Sequence, residues 1–314
     1  MSSAIHTLLW RVLEYLYRAY VGISMSVLSR VDFGTNVYDR DWDVLIVLDT
    51  ARVDSMRESS VEFDFISPVN SILSVGSTSS EWIAKTFTPE YKNEISNTVL
   101  VSANPYVEHT LYNREFPEHD KDAFFSFTAW ETVAPDDFEH IDQPWQYATN
   151  QRYEHVLPHD MTDRAVSLHR EFEPDRMIVH YMQPHRPHMA KAYSDGRDMT
   201  DTERDPFSYL KTGGDRKHVY SNHVADLEFV LRTGVKPLLR NIDADTVAIT
   251  ADHGDGFGED WCYAHIAGDP RTQVRRVPWV ETEATDQGEI QPALSSSETA
   301  ERGIEDQLEA LGYI

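Results

Sequence analysis

Two apolar, β-branched runs of the chain each end in acidic residues, and about 200 residues separate them. Residues 44–48 lead into Asp49, and residues 247–251 lead into Asp252 and His253. Short continuous apolar runs of this kind predict buried strands of a parallel sheet. Ligands bind beyond the carboxyl ends of such strands, so the three side chains are expected at one sheet edge. Carboxylates together with an imidazole are suitable ligands for a divalent metal ion.

A run of hydroxyl side chains, Ser77, Thr78 and Ser79, follows Gly76 and precedes Glu81. This pattern predicts a capped helix that begins just after Gly76. The backbone amides at such a helix start favour an anion. A hydroxyl beside a metal ion can lose its proton and attack phosphorus or sulfur, and Thr78 or Ser77 could supply it. An ordinary helix cap is the alternative interpretation of the same residues.

Histidines flank two prolines where another predicted strand ends, in residues 180–188. His185 matches the loop tip best, as a contact to an anionic oxygen or as a metal ligand, whereas His180 is interpreted as structural. The role of His188 stays open between these two. His265 follows an acidic loop and is either a ligand, a substrate contact or a surface residue. Arg52 could neutralise substrate charge or pair with acidic neighbours.

The alternation of predicted strands and helices favours an α/β fold, a mostly parallel sheet with helices on both faces. Strands are predicted at residues 43–48, 97–102, 176–182 and 246–250, and longer helices at about 162–172 and 219–240. Residues 134–161 and 191–218 do not fit this alternation. They are interpreted either as lids or binding loops, or as solvated insertions of an acidic protein.

The net charge of −25 makes nucleic acid an unsuitable partner, because the phosphates would be repelled. Acidic residues dominate and arginine far outnumbers lysine, a composition typical of salt-adapted archaeal proteins. The single cysteine, Cys262, excludes an intrachain disulfide and is interpreted as a packing residue.

No secretory signal pattern is evident at the start, so a cytoplasmic location is expected, with membrane association as an alternative. Residues 5–20 predict an amphipathic helix whose apolar face includes Val12 and Leu16. That helix would lie on a membrane surface, on a partner, or packed on its own domain.

Several motifs resemble those of the sulfatase branch of the alkaline phosphatase superfamily. Residues 48–54, Leu-Asp-Thr-Ala-Arg-Val-Asp, resemble its opening metal motif, and residues 251–255, Ala-Asp-His-Gly-Asp, resemble its second metal motif. Residues 180–188 are similar to its central histidine loop, residues 275–280 to the strand that follows the catalytic core, and residues 307–314 to its ending. The matches span residues 43–314 in the order of the family.

The resemblance implies an alkaline-phosphatase-like fold and a set of four metal ligands: Asp49, Thr78, Asp252 and His253. It also makes Thr78 the nucleophile with Ser77 as the alternate, while His185 and His265 would hold the transferred group. Residues 76–80 lack the proline and arginine of the motif that sulfatases modify. The pattern is closer to the threonine-nucleophile phosphotransferases and phosphodiesterases of the superfamily, with one metal ion (Zn, Mn, Mg or Ca) rather than two.

The expected function is therefore that of a metal-dependent hydrolase or transferase of phosphate or sulfate esters. Its substrate would be a small anionic ester, free or linked to a glycan or lipid, with Arg52 and His188 as candidate contacts. The alternatives are a non-catalytic protein of this fold that binds a surface glycan or a membrane, and a cofactor-independent mutase, which would need a second metal set. The expected division is a helical segment at 1–36 and a catalytic domain with a C-terminal helix at 37–314.

Overall fold

The computed structural model describes residues 2–120 and 123–295 of the chain. The predicted closing helix at 305–312 lies outside these residues. The side chains of residues 5–10, which form part of the predicted amphipathic helix, are also outside the description. No helix within the described ranges is long and apolar enough to cross a membrane.

Eleven strands lie within the described part of the chain. They are β1 (Val44–Leu48), β2 (Asn70–Leu73), β3 (Thr98–Ser102), β4 (His140–Asp142), β5 (Thr149–Asn150), β6 (His155–Val156), β7 (Arg176–Tyr181), β8 (Ala244–Thr250), β9 (Gly256–Phe257), β10 (Tyr263–Ala264) and β11 (Arg276–Ala284). Seven of them form the central sheet in the order β2-β11-β8-β1-β7-β3-β4. The strands β8, β1, β7, β3 and β4 run parallel, and β11 runs antiparallel to both β8 and β2.

Helices surround this sheet, and half of those within the described residues are the next helix after a strand along the chain. They are α1 (Ser2–Leu28), α2 (Val53–Ser59), α3 (Ser79–Thr86), α4 (Lys92–Ile95), α5 (Pro117–Asp120), α6 (Pro158–Phe172), α7 (Ala190–Ser194), α8 (Asp201–Arg204), α9 (Pro206–Lys211), α10 (Arg216–Val230), α11 (Lys236–Leu239) and α12 (Thr272–Arg275). Every residue of β1 and of β3 is buried. Since successive side chains of a strand point to opposite faces, both faces of the sheet are covered, as predicted.

The four strands predicted from the sequence are all present, and the predicted capped helix start is the beginning of α3. The helix predicted at 219–240 is interrupted, because a π-helical segment, Leu231–Val235, separates α10 from α11. Residues 134–161 are more than an insertion. They provide β4, which pairs with β3 at the sheet edge, and the β5–β6 hairpin.

Candidate functional site

Side chains from three adjacent central strands meet where those strands end. Asp49 directly follows β1, Asp252 follows β8, and His180 is the penultimate residue of β7. All three are buried, and one potential ligand atom of each lies within 4.8 Å of the others. The Nε2 atom of His180 is 3.5 Å from Oδ2 of Asp49 and 3.9 Å from Oδ2 of Asp252. The predicted meeting of Asp49 with Asp252 at one sheet edge is therefore present in the structure.

Two tight backbone features bring these strand ends together. Thr50 adopts a φ of 62°, a left-handed conformation that costs energy for a residue other than glycine. This turn lets the Thr50 amide donate a hydrogen bond to Oδ1 of Asp252, at 3.2 Å. A Cβ atom on Gly254 would clash with the Gln273 carbonyl oxygen, so a residue without a side chain is required there.

The hydroxyl that lies among the carboxylates belongs to Ser79, the first residue of α3. Its Oγ donates to Oδ2 of Asp252 at 2.7 Å and lies 3.3 Å from Oδ2 of Asp49. The same Oγ is 3.4 Å from Nε2 of His253. Ser79 is fully buried, and the helix that it begins provides backbone amides for a nearby anion.

The two hydroxyls predicted as nucleophiles have other contacts. Thr78 is the N-cap of α3: its Oγ1 accepts the Glu81 amide and lies 3.2 Å from Oγ of Ser80. Ser77 donates to Oε2 of Glu81 at 2.7 Å and to the carbonyl of Ile266 at 2.9 Å. The structure thus supports the cap interpretation for Thr78, and it brings Ser79 rather than Thr78 or Ser77 to the carboxylates. The sequence interpretation considered only the first two hydroxyls of this run.

The remaining predicted ligand, His253, faces the same cluster. Its Nδ1 is 3.2 Å from the Gly254 carbonyl and can donate to it, which directs the acceptor nitrogen Nε2 toward Asp252 and Ser79. Burial alone would lower the pKa of His253, but the charges of Asp252 and Asp49 raise it above its ordinary value.

The donor set fits a divalent metal ion. Oδ1 of Asp49 and Nε2 of His180 are buried and have no hydrogen-bond partner, although buried polar atoms normally have one. Burial and the neighbouring Asp252 carboxylate raise the pKa of Asp49 well above its usual range. Two facing carboxylates that repel each other, beside two imidazole rings, are a site that a cation would stabilise. Asp49, Asp252, His180 and His253 are the residues that could hold it.

A second group of histidines lies beside this cluster. The ring centroid of His265 is 4.1 Å from that of His253 and 5.7 Å from that of His185. Nδ1 of His265 lies 2.7 Å from Oδ1 of the buried Asp255. Nδ1 of His185 lies 2.6 Å from the Arg186 carbonyl, and burial followed by the charge of His265 lowers the pKa of His185 well below its ordinary value. The structure therefore brings the predicted His185 and His265 together.

The two predicted substrate contacts differ in their surroundings. Arg52 forms ion pairs with Asp54 at 2.7 Å and with Glu259 at 2.8 Å. It also donates a hydrogen bond to the Asp255 carbonyl at 2.9 Å. These contacts match the alternative in which Arg52 pairs with acidic neighbours. His188 is buried with an unpartnered Nδ1, and burial lowers its pKa to about 4. Its contact with a substrate stays a prediction.

The sequence did not predict three residues of this site: Ser79, His180 and Asn104. Asn104 donates from Nδ2 to Oδ2 of Asp49 at 2.8 Å and so fixes that carboxylate. The position of Asn104 after β3 could have predicted this role. β3 is the strand next to β7, so Asn104 lies at the same carboxyl edge of the sheet. The interpretation of His180 as a satisfied structural histidine is wrong, since its Nε2 has no hydrogen-bond partner.

This chain belongs to the sulfatase family, because residues 105–299 match the model of that family. The matched range includes His180, Asp252 and His253, while Asp49 and Ser79 precede it. No curated protein sequence matches the chain significantly.

Solved structures with a related fold have low identities. The soluble domain of lipooligosaccharide phosphoethanolamine transferase A from Neisseria meningitidis is 12% identical, with a TM-score of 0.48, 77% of this chain and 76% of that chain covered. The C-terminal periplasmic domain of a phosphoethanolamine transferase from Campylobacter jejuni is 12% identical, with a TM-score of 0.46 and coverages of 76% and 78%. A 2-O GAG sulfatase is 14% identical, with a TM-score of 0.38 and coverages of 86% and 70%. These values are too low to carry an activity or a substrate over to this chain.

Proposed function

We propose that this protein is a divalent-metal-dependent enzyme that cleaves or transfers a phosphate or sulfate ester, with Ser79 as its nucleophile. The observation that carries the proposal is the position of the Ser79 hydroxyl, within 3.4 Å of Asp49, Asp252 and His253. A buried hydroxyl among two carboxylates and an imidazole is an arrangement suited to nucleophilic attack rather than to packing. Membership of the sulfatase family supports the same class of reaction.

A divalent cation held by Asp49, Asp252, His180 and His253 would supply positive charge against the ester oxygens. In the reaction, Oγ of Ser79 attacks phosphorus or sulfur and the bond to the ester oxygen breaks. Oδ2 of Asp252, which already accepts the Ser79 hydrogen bond, is the nearest base for the hydroxyl proton. Water or an acceptor alcohol then releases the group from Ser79, which gives hydrolysis or transfer.

The leaving oxygen needs a proton, and His265 is the better oriented donor. Asp255 accepts from Nδ1 of His265 at 2.7 Å, which fixes the ring orientation and directs Nε2 away from that carboxylate. His185 is near enough to share the contact with the transferred group, since its ring centroid lies 5.7 Å from that of His265. The expected substrate is a small anionic ester, free or linked to a glycan or lipid.

The test is turnover of 4-nitrophenyl phosphate, bis(4-nitrophenyl) phosphate and 4-nitrophenyl sulfate at high salt, with the divalent metal varied. Ser79→Ala should lower kcat roughly 10³-fold or more, because the attacking atom is removed. Thr78→Val is the matched control. It should keep kcat within about tenfold while the lost cap costs about 1 kcal/mol of stability.

Three outcomes contradict the proposal in different ways. If Thr78→Val is inactive and Ser79→Ala is active, the nucleophile is the threonine that the sequence predicts. Full activity of both variants would remove Thr78 and Ser79 from the mechanism and leave Ser77 as the remaining hydroxyl. If the wild-type protein binds metal but turns over none of the esters, the non-catalytic binding alternative is favoured.

A further inference from the structure

The outer side of α1 carries a row of apolar side chains that the rest of the described chain does not cover. Leu16 is 62% exposed, and its neighbours on the same face follow helical spacing. This surface, called the α1 outer face, consists of Val12, Leu13, Leu16, Tyr20, Ile23 and Val27. Soluble proteins rarely expose contiguous apolar surface of this kind unless it binds something.

The opposite side of α1 packs against the domain, and this fixes the direction of the outer face. Val21 and Met25 are fully buried with Ala267 in a small apolar cluster. A Cβ atom on Gly22 would lie 2.6 Å from the Phe125 carbonyl oxygen, so helix and loop are in close contact. The apolar face predicted from Val12 and Leu16 is therefore not the one that packs on the domain.

The loop at residues 123–130 extends this apolar surface with three phenylalanines. Phe124 stacks on Tyr15 with a centroid distance of 5.2 Å, and the Phe127 amide donates to Oγ of Ser26 at 3.2 Å. Phe127 is 68% exposed, and Phe124 and Phe125 are also exposed. Helix and loop thus form one surface of aliphatic and aromatic side chains.

The charges of the N-terminal segment that contains α1 differ in sign from those of the whole molecule. Residues 1–31 carry three arginines, Arg11, Arg18 and Arg30, and one acidic residue, Glu14, whereas the chain as a whole has 28 basic and 53 acidic residues. Arg18 lies over the Phe124 ring, with Cζ 4.5 Å from the centroid. A helical segment of net positive charge that presents aromatic and aliphatic side chains on one side is typical of proteins that lie at the interface of an anionic bilayer.

We propose that the α1 outer face, together with Phe124, Phe125 and Phe127, docks this protein on the surface of a membrane that contains anionic lipid. The apolar side chains enter the boundary of the acyl chains and the arginines contact the lipid phosphates.

The docking surface is connected to the candidate site through one loop. Tyr20 donates from its hydroxyl to the Gly268 carbonyl at 2.8 Å, and Ser77 donates to the Ile266 carbonyl at 2.9 Å. His265 directly precedes this loop. If the proposed function is correct, an ester in a lipid headgroup is the substrate class that such docking would favour, and this last step rests on that function.

The experiment is flotation of the full chain with vesicles of phosphatidylcholine, with and without phosphatidylglycerol. The wild-type protein should float with the mixed vesicles and bind pure phosphatidylcholine more weakly. The triple variant Leu16→Ser/Ile23→Ser/Phe127→Ser should bind the mixed vesicles at least about tenfold more weakly than the wild-type protein, because three exposed apolar side chains are removed. Val61→Ser is the matched control. Val61 is 92% exposed and lies beyond α2, so its loss should leave binding unchanged.

Unchanged binding of the triple variant, or failure of the wild-type protein to float, would overturn the proposal. A wild-type dimer that becomes a monomer in the triple variant would assign the surface to a second copy instead. Turnover of a soluble 4-nitrophenyl ester keeps this test separate from the proposed function. The triple variant should retain it, whereas a wild-type protein that floats but has no turnover would contradict only the enzymatic proposal.

Discussion

His180 is the residue whose role differs most from its sequence context. It lies inside β7 between apolar neighbours, yet its Nε2 faces the carboxylates of Asp49 and Asp252. We expect His180→Ala to lower the bound divalent metal at least several-fold, because one of four candidate ligands is removed. Elemental analysis of the purified protein after dialysis against limiting metal measures this, and no turnover is needed.

The exposed His218 supplies the control, and His218→Ala should keep the wild-type metal content. A full metal content in His180→Ala, with the fold intact by circular dichroism, would limit the ligand set to the two aspartates and His253. His180 would then be a neighbour of the site rather than a part of it.

At the residue scale, the sequence correctly predicted that Asp49, Asp252 and His253 are neighbours, because they follow short apolar runs that are typical of buried parallel strands. It did not identify Ser79. The three hydroxyl residues at 77–79 are consecutive, and the side chains of consecutive residues on a helix point in directions roughly 100° apart. Which hydroxyl faces the site depends on where α3 begins, and helix ends are not defined by sequence to that accuracy.

The turn before α3 is held by one buried ion pair between two elements. Nη2 of Arg275, at the end of α12, lies 2.8 Å from Oε1 of Glu81 in α3. Arg275 also donates to the carbonyls of Val75 and Asp269, and Glu81 accepts from the Ser77 amide and hydroxyl. These contacts fix both sides of the segment that presents Ser79.

We expect Arg275→Met to lower the free energy of unfolding by about 3–5 kcal/mol, because it leaves Glu81 charged and unpaired in the interior. Urea unfolding at constant salt measures the change. Arg276→Met is the matched control, since Arg276 is the next residue and is exposed, and its effect should stay within about 0.5 kcal/mol. Equal stabilities of the two variants would mean that the ion pair does not hold this turn.

The central elements were predictable and the peripheral ones were not, for a physical reason. β1, β3, β7 and β8 are covered on both faces, so their sequences are nearly continuous apolar runs. β4 is a three-residue edge strand, His-Ile-Asp, that is held by pairing with β3 rather than by its own composition. Pairing with a distant strand leaves no local pattern in so short a segment.

The whole molecule carries a net charge of −25, and its stability should depend on salt for that reason. Self-repulsion among 53 acidic residues destabilises the compact state. Salt reduces this repulsion, since the Debye length falls from about 10 Å at 0.1 M to about 3 Å at 1 M. We therefore expect the midpoint of thermal unfolding to rise by roughly 5 °C or more between these concentrations of KCl.

Differential scanning fluorimetry with the divalent metal held constant measures this rise. Choline chloride at equal ionic strength should reproduce it, because screening depends on ionic strength rather than on the identity of the cation. Sucrose at equal osmolality separates screening from general exclusion effects, which stabilise proteins without reducing repulsion between charges. A midpoint that is constant up to 1 M, or that responds to sucrose as it does to both salts, would contradict salt adaptation. The acidic composition would then reflect solubility alone.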